Sequence, residues 1–281
     1  MKNKKISGLL TGIPRLFRVQ LAIPGMICVL IGGVIGGFDY LNQDLILAMI
    51  AVFFITAGSM AINDYFDREI DKKVHPDRPI PSGKITPKQG LIVSITFFIL
   101  SLVLSLLINT LCLLIAIITI DLLLLYETIF KNYGIVGNLV VAFIVAISFT
   151  FGGAAIGRPD ISLDFTFIAF FLMLGREILM DVTDIEGDKL NRSTLPMRVG
   201  ERNATYLGCF FLIISTIFLF MPGLIGIFPN YYLILILPVQ ALLYYSIILP
   251  IVKTENTGRS ADLILIAIGM GLPVFVYSII V

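Results

Sequence analysis

Charge is scarce in this 281-residue chain. Only 14% of its residues are Asp, Glu, Lys or Arg, where a soluble domain carries about a quarter. With 58% hydrophobic residues and a mean hydropathy of +0.99, a water-soluble fold has nowhere to put its apolar surface. Cysteine is sparse as well. Cys28, Cys112 and Cys209 all lie in apolar runs with no CxxC or Cys/His cluster, which argues against disulfides and zinc and for small packing residues. The one histidine, His75, stands in a hydrophilic loop before Pro76 and reads as solvated. No Ser/His/Asp constellation, Walker loop or nucleotide-binding glycine motif is present. A cleavable signal peptide is not evident either. The first apolar run follows MKNKKISGLLTGIPRLFR, lasts a full membrane span and lacks a convincing small-residue cleavage site.

What is abundant is long apolar sequence. Crossing about 30 Å of hydrocarbon takes about 20 predominantly apolar residues. Nine such runs occur, at about 18–38, 45–66, 88–108, 110–130, 134–156, 163–183, 202–222, 229–250 and 260–280. The third and fourth nearly merge, interrupted only by Asn109 and Thr110. The runs are continuously apolar rather than alternating, so the expected fold is an all-α integral membrane bundle and not a β-barrel. Gly and Pro within the runs, and the pairs Gly32–Gly33, Gly36–Gly37 and Gly152–Gly153, suit kinks and close helix packing.

The charges are placed asymmetrically. Eighteen of the twenty Lys and Arg residues fall on one side of the nine runs. The positive-inside rule makes that side cytoplasmic, with the N-terminus inside and the C-terminus external. Arg158 lies in an outer loop and Arg176 within the sixth run. Two cytoplasmic loops, about 67–87 and 184–201, hold most of the polar chemistry.

Shifting the sequence by 117 residues superimposes those loops. Asp64 falls on Asp181, Asp67 on Asp184, Asp71 on Asp188, Lys72 on Lys189, Pro79 on Pro196 and Gly83 on Gly200. The second and sixth runs point the same way, so the repeat is parallel, about an axis along the membrane normal. The expectation is one domain, 1–281, built from four-helix halves at about 15–130 and 134–250 plus an extra helix at about 260–280. Two acidic clusters then face each other across a central cavity.

In the first cluster, NDYFDREID, Asn63, Asp67 and Asp71 stand at i, i+4 and i+8 on one helical face. Asp64 is about 100° round from Asn63. In the second, GREILMDVTDIEGD, Glu177, Asp181, Asp184 and Asp188 form a similar stripe. Like charges so arranged repel unless a cation compensates them. Oxygen donors without His or Cys select a hard metal, Mg²⁺ before Ca²⁺ or Mn²⁺. EF-hand spacing is absent. Arg68, Lys72, Arg78 and Lys84 flank the first cluster; Arg176, Lys189, Arg192 and Arg198 flank the second; Lys131 ends the fourth run. Any of these could hold phosphate oxygens, although topology alone explains most of them. Arg176 is the exception, about two turns inside the membrane, where a charge needs a partner or a cavity. Glu127 reads as interfacial and solvated. Asp121, deeper, reads equally as a packing partner or a cavity residue.

NDYFDREID, the following RPIPSGKI (78–85) and DVTDIEGD together closely resemble the UbiA superfamily of intramembrane prenyltransferases, over nearly the whole chain. Tyr126, Lys131 and Asn138 match that family's Tyr…Lys…Gly-Asn stretch. The resemblance implies Mg²⁺ bridging a prenyl diphosphate to Asn63, Asp67, Asp71, Asp181 and Asp184, with Asp64 or Asp188 as additions. It implies catalytic roles for Asp67, Asp184, Arg176 and Lys131, and substrate contacts from Arg78, Lys84, Tyr126, Lys131, Asn138, Arg176, Lys189 and Arg192. It also implies a prenyl tail lying in an apolar groove open to lipid. GREI before the second motif and TLP after it look most like the archaeal ether-lipid branch. There geranylgeranyl diphosphate is the donor and the glycerol hydroxyl of geranylgeranylglyceryl phosphate the acceptor. An aromatic prenyltransferase is the nearer rival and a cation-coupled transporter the more distant one. The bilayer is the expected surroundings, and no nucleic acid is an expected partner.

Overall fold

A computed structural model describes residues 16–35, 42–188 and 192–280, except for the side chains of Val19, Asp188 and Ile280. Among the described residues every regular element is helical. The long helices are α1 (Val19–Val34), α2 (Gln43–Phe66), α4 (Pro87–Ile108), α5 (Thr110–Thr128), α6 (Ile135–Ala155), α7 (Leu163–Thr183), α10 (Glu201–Phe218), α13 (Leu237–Val252) and α14 (Thr257–Ile280). Short helices lie between them: α3 (Arg68–Val74), α8 (Ile185–Asp188), α9 (Leu195–Val199), α11 (Met221–Leu224) and α12 (Tyr232–Leu235).

Among the described residues seven segments are long and apolar enough to cross a membrane: Gln43–Phe66, Pro87–Ile108, Thr110–Thr128, Ile135–Ala155, Glu201–Leu224, Tyr232–Val252 and Thr254–Ile279. Two of the nine expected spans fall short, for different reasons. Helix α1 has only 16 residues. Helix α7 has 21 but carries Asp164, Arg176, Glu177 and Asp181.

The chain starts and stops its helices with local chemistry. The Asn42 side chain accepts from the backbone N–H of Asp44 and caps α2. Thr86 and Gln89 form a reciprocal capping box around Pro87 at the start of α4. Asn109 performs three tasks at the only break between α4 and α5. Its backbone ends α4, its Oδ1 accepts from Cys112 N–H, and its Nδ2 donates to the carbonyl of Ala154 on α6.

Helix α4 is arranged inside out relative to a helix of a soluble bundle. On α4, Ile92, Ile95, Ile99, Val103 and Leu106 are exposed while Ser94, Ser101 and Ser105 are fully buried. In lipid, outward apolar side chains cost nothing, so helices are joined by close packing and interhelical hydrogen bonds. Ser94 donates to the carbonyl of Gly58, Ser215 to that of Ile168, Gln240 to that of Thr216 and Ser260 to that of Ser246. Such bonds average about 0.6 kcal/mol each in membranes. Glycine sets the tightest crossing. A Cβ on Gly32 would overlap the Phe149 carbonyl, and one on Gly152 that of Val29, so α1 and α6 touch backbone to backbone. All three cysteines are buried and unpaired.

The packing pattern recurs along the chain. Helix α1 lies on α2, α2 on α4 and α4 on α5; likewise α6 lies on α7, α7 on α10 and α10 on α13. Asp67 and Asp184, 117 residues apart, are the C-caps of α2 and α7, with φ, ψ of −85°, 4° and −94°, 8°. Gly83 and Gly200, at the same offset, have φ of +74° and +84°, a region that glycine occupies without steric penalty.

Candidate active site

Helix α2 ends at Asp67 and the chain resumes as α3, so Asn63, Asp67 and Asp71 descend one face into the polar end of the bundle. The 78–85 stretch then folds back as a cap. Ile85 N–H donates to the Pro79 carbonyl, and Ile80 and Ile85 are buried with Leu16 and Ala61. This fold sets the Arg78 guanidinium 2.6 Å from Asp71 Oδ2.

A cavity of about 540 Å³ opens between the ends of α2 and α7. Eight of the residues expected from the sequence line it: Asn63, Asp67, Asp71, Arg78, Tyr126, Lys131, Asp184 and Arg192. The first acidic motif thus faces the C-cap of the second across one space. His75 is exposed, as expected, and stands on the rim.

The centre of the site is a closed ring of four side chains. Lys131 Nζ donates to Asp67 Oδ1 at 2.7 Å and to Glu127 Oε2 at 3.1 Å. Asn63 Nδ2 donates to Asp67 Oδ2 at 3.1 Å and to Glu127 Oε1 at 2.9 Å. Two successive turns of α2 are thereby laddered onto two successive turns at the end of α5. Burial works against the Lys131 ammonium, but its bonds to Asp67 and Glu127 outweigh this and hold its pKa above the ordinary lysine range. The folded value is therefore raised, so the contribution of the Lys131 charge is fully present below about pH 10.4 and is lost as pH climbs through the folded pKa. Glu127 corrects the sequence reading. It is 8% exposed and belongs to the site rather than to solvent.

Other expected residues lie beside the cavity. Asn138 on α6 donates to Asp181 Oδ2 at 2.9 Å, tying the second motif to its neighbour. Arg176 donates to Glu177 at 2.8 Å, while its buried Nε has no partner among the described residues. Asp64 turns away from the cavity and is fully buried against Arg18, whose Nη2 is 2.6 Å from its Oδ1. Lys84 is half-buried and does not line the cavity. Lys189 and the Asp188 side chain lie outside the described residues. Asp121 fits neither sequence reading: it is exposed, on the stripe of α5 that also exposes Leu114, Ile117, Ile118 and Leu125.

Among the described residues no three His, Cys, Asp or Glu side chains form a ready-made cage for a metal ion. The donor set nonetheless fits Mg²⁺, which takes one or two carboxylates and completes its octahedron with water and phosphate oxygens. Asp67, Asp71 and Asp184, all on the cavity wall, provide such partial shells on both sides of a space large enough for a diphosphate.

Comparison with known proteins accords with this geometry. The model of the UbiA prenyltransferase family matches residues 23–275. The digeranylgeranylglyceryl phosphate synthase of Natronomonas pharaonis is 35% identical over 229 residues, 81% of this chain and 83% of that protein. That of Methanopyrus kandleri is 34% identical over 252 residues, 89% and 93% of the two chains. A solved structure of digeranylgeranylglyceryl phosphate synthase superimposes with a TM-score of 0.83 at 32% identity, covering 100% of this chain and 99% of that one. A UbiA homolog from Archaeoglobus fulgidus, bound to DMAPP and Mg²⁺, has the same fold, with a TM-score of 0.67 at 18% identity over 94% and 99% of the chains. The chain is therefore a multi-pass membrane prenyltransferase, a member of the UbiA family.

Proposed function

We propose that this enzyme transfers a geranylgeranyl group from its diphosphate to the glycerol hydroxyl of geranylgeranylglyceryl phosphate, forming an ether lipid. The observation that carries the donor half is the 540 Å³ cavity with carboxylates on both walls and Arg78, Lys131 and Arg192 among them. The acceptor half rests on two things: the GREILMDVTDIEGD stretch, and relatives that bear the synthase name and match four-fifths or more of the chain.

Asp67 and Asp71 from the first motif and Asp184 from the second would hold Mg²⁺, with Asn63 and Asp181 completing the oxygen set. When bound, the metal supplies Lewis-acid neutralisation of the diphosphate. The chain's own groups do the rest. Lys131 and Arg78, fixed by 2.7 and 2.6 Å bonds, present donors where negative charge builds up as the C1–O bond breaks. Such preorganised donors are the largest single contribution in many enzymes. The bonding pair leaves with the diphosphate. The acceptor hydroxyl oxygen then bonds to the cation-like C1, and its proton is released towards the aqueous mouth of the cavity. The apolar bundle above excludes water, which would otherwise quench the allylic cation.

In this reading the bundle has nine membrane helices, α1 and α7 included, arranged as two four-helix halves plus α14. The matched C-caps and glycine turns at the 117-residue offset support the duplication. The active site and N-terminus face the cytoplasm, as the positive charges suggest. Helix α7 crosses despite its charges because they point to neighbours within the protein: Arg176 to Glu177, and Asp181 to Asn138.

The test is an acceptor panel using purified enzyme, radiolabelled geranylgeranyl diphosphate and Mg²⁺. Labelled ether should form with geranylgeranylglyceryl phosphate and none with 4-hydroxybenzoate. Product from the aromatic acid alone would replace this reading with an aromatic prenyltransferase.

A further inference from the structure

We propose a second anion subsite, built on Arg18 and Arg78, that takes the phosphate monoester of the acceptor. This inference rests on the acceptor reading above.

An open pocket of about 390 Å³ lies next to the reaction cavity. Its polar lining is Arg18, Gln20, His75, Asp77 and Arg78. Three residues, Val74, His75 and Arg78, line both spaces, so the two adjoin through these side chains. That spacing matches the ligand. In a glycerol phosphate the nucleophilic hydroxyl and the phosphate are only a few bonds apart, so a site that grips one must adjoin the space where the other reacts.

Asp64 makes two arginines converge there. Its Oδ1 lies 2.6 Å from Arg18 Nη2 and 3.7 Å from Arg78 Nη1. Two guanidiniums would separate on electrostatic grounds; a fully buried carboxylate between them holds both in place. Asp64 accepts from Arg18 Nη2, Met60 Sδ accepts a long 3.8 Å contact from Arg18 Nη1, and Asp71 accepts from Arg78 Nη1. The Arg18 Nε and Arg78 Nη2 N–H groups are left to fork onto phosphate oxygens. Both arginines are about three-quarters buried, with side-chain exposures of 23% and 25%. They are thus preorganised, unlike freely solvated loop cations.

The backbone points the same way. Arg18 is the only non-glycine residue with positive φ among those described, at φ 42°, ψ 56°. A long side chain that cannot hydrogen-bond its own backbone as Asn or Asp does gains nothing locally from that conformation, and such strain collects at ligand clamps. Leu16, fully buried with Ala61, Ile80 and Ile85, and Phe17, 4.8 Å from the Phe97 ring, pin the segment so that the arginine is held in this position. Arg18 is therefore assigned to the acceptor phosphate, and Asp64 is a positioning residue for both arginines rather than part of the cavity wall.

The test compares the phosphorylated acceptor with its dephosphorylated alcohol, in non-ionic, phosphate-free detergent so that no lipid headgroup competes. The readout is the ratio of kcat/KM for the two acceptors, which does not depend on how much of a variant is folded. The wild-type enzyme should favour the phosphorylated acceptor. Arg18→Gln, which keeps an amide to bond Asp64, should raise KM for that acceptor about ten- to hundredfold. KM for geranylgeranyl diphosphate should stay unchanged, and Arg18→Lys should restore part of the loss. An Arg18→Gln enzyme with the wild-type ratio would overturn the subsite, as would a wild-type enzyme indifferent to the phosphate. Use of 4-hydroxybenzoate and of neither glycerol acceptor would instead overturn the acceptor reading on which the subsite rests.

Discussion

Replacing Lys131 by methionine tests whether the four-membered ring is a working part of the enzyme. The change keeps the stem but removes the cation between Asp67 and Glu127, bonded at 2.7 and 3.1 Å. Breaking a fully buried pair costs about 3–5 kcal/mol, because a charge is left uncompensated. Here the Asp67 side chain is 26% exposed and that of Glu127 only 7%, so solvent screens one carboxylate and not the other. A destabilisation of about 2 kcal/mol is expected, most of it from Glu127. Turnover should fall further, by about 10²–10³-fold, since a donor aimed at the departing diphosphate goes with it. The two effects separate in a cycle with Glu127→Gln. Removing the unpaired carboxylate should return most of the lost stability to the double variant, while the rate should stay low. Thermal melting in detergent and single-turnover transfer read the two quantities. A Lys131→Met enzyme with normal melting and normal turnover would refute the reasoning. A double variant as unstable as the single would show that Glu127 does not depend on Lys131.

Two further outcomes follow from the geometry. Asp184→Asn and Asp67→Asn should each abolish measurable transfer, because each removes a carboxylate from one wall of the cavity, Asp184→Asn with melting near wild type and Asp67→Asn with a lowered melting temperature, since one amide oxygen cannot accept from both Lys131 and Asn63; normal turnover in either would remove that residue from the metal site. Gly152→Val should lower yield and melting temperature, since its Cβ would overlap the Val29 carbonyl at the α1–α6 crossing; a variant as stable as the parent would mean that the two helices can part without loss.

The sequence made the outline legible wherever a single residue carries several constraints. Asn109 was visible as the break between two spans because an amide in an apolar run has to be satisfied, and it caps α5 and bridges to α6. Asp67 and Asp184 stand out because the 117-residue self-similarity of the sequence marks matching positions without reporting contacts. What was illegible depends on what a neighbouring helix presents. Helical periodicity puts Asp64 near Asn63 on α2, but whether it meets the cavity or Arg18 is decided by a segment 46 residues earlier. Glu127 looked solvated because its position near a span end is also where wet carboxylates occur. Its partner Asn63 is 64 residues away, and nothing in the local pattern names it. Arg18 was hidden among five basic residues that topology already explained. Asp121 was misread for the opposite reason: depth in a span suggests an inward side chain, yet the α5 face it shares with Leu114 and Leu125 points outward.

Helix α7 also constrains how the protein is made. Its Asp164, Arg176, Glu177 and Asp181 set α7 apart from the apolar spans. On insertion scales an Arg costs about 2.5–3.5 kcal/mol near a helix centre, so Arg176, the deepest of the three charges in the last turns of α7, opposes insertion of this helix alone. It shares the Pro159–Ser162 turn with α6, and Asn138 of α6 is the partner of Asp181. Entry as an α6–α7 hairpin shields that pair from the outset. A substitution at Asn138 is therefore expected to lower the yield of inserted protein as well as to disturb the site, a loss that the amount of folded enzyme in the membrane would read.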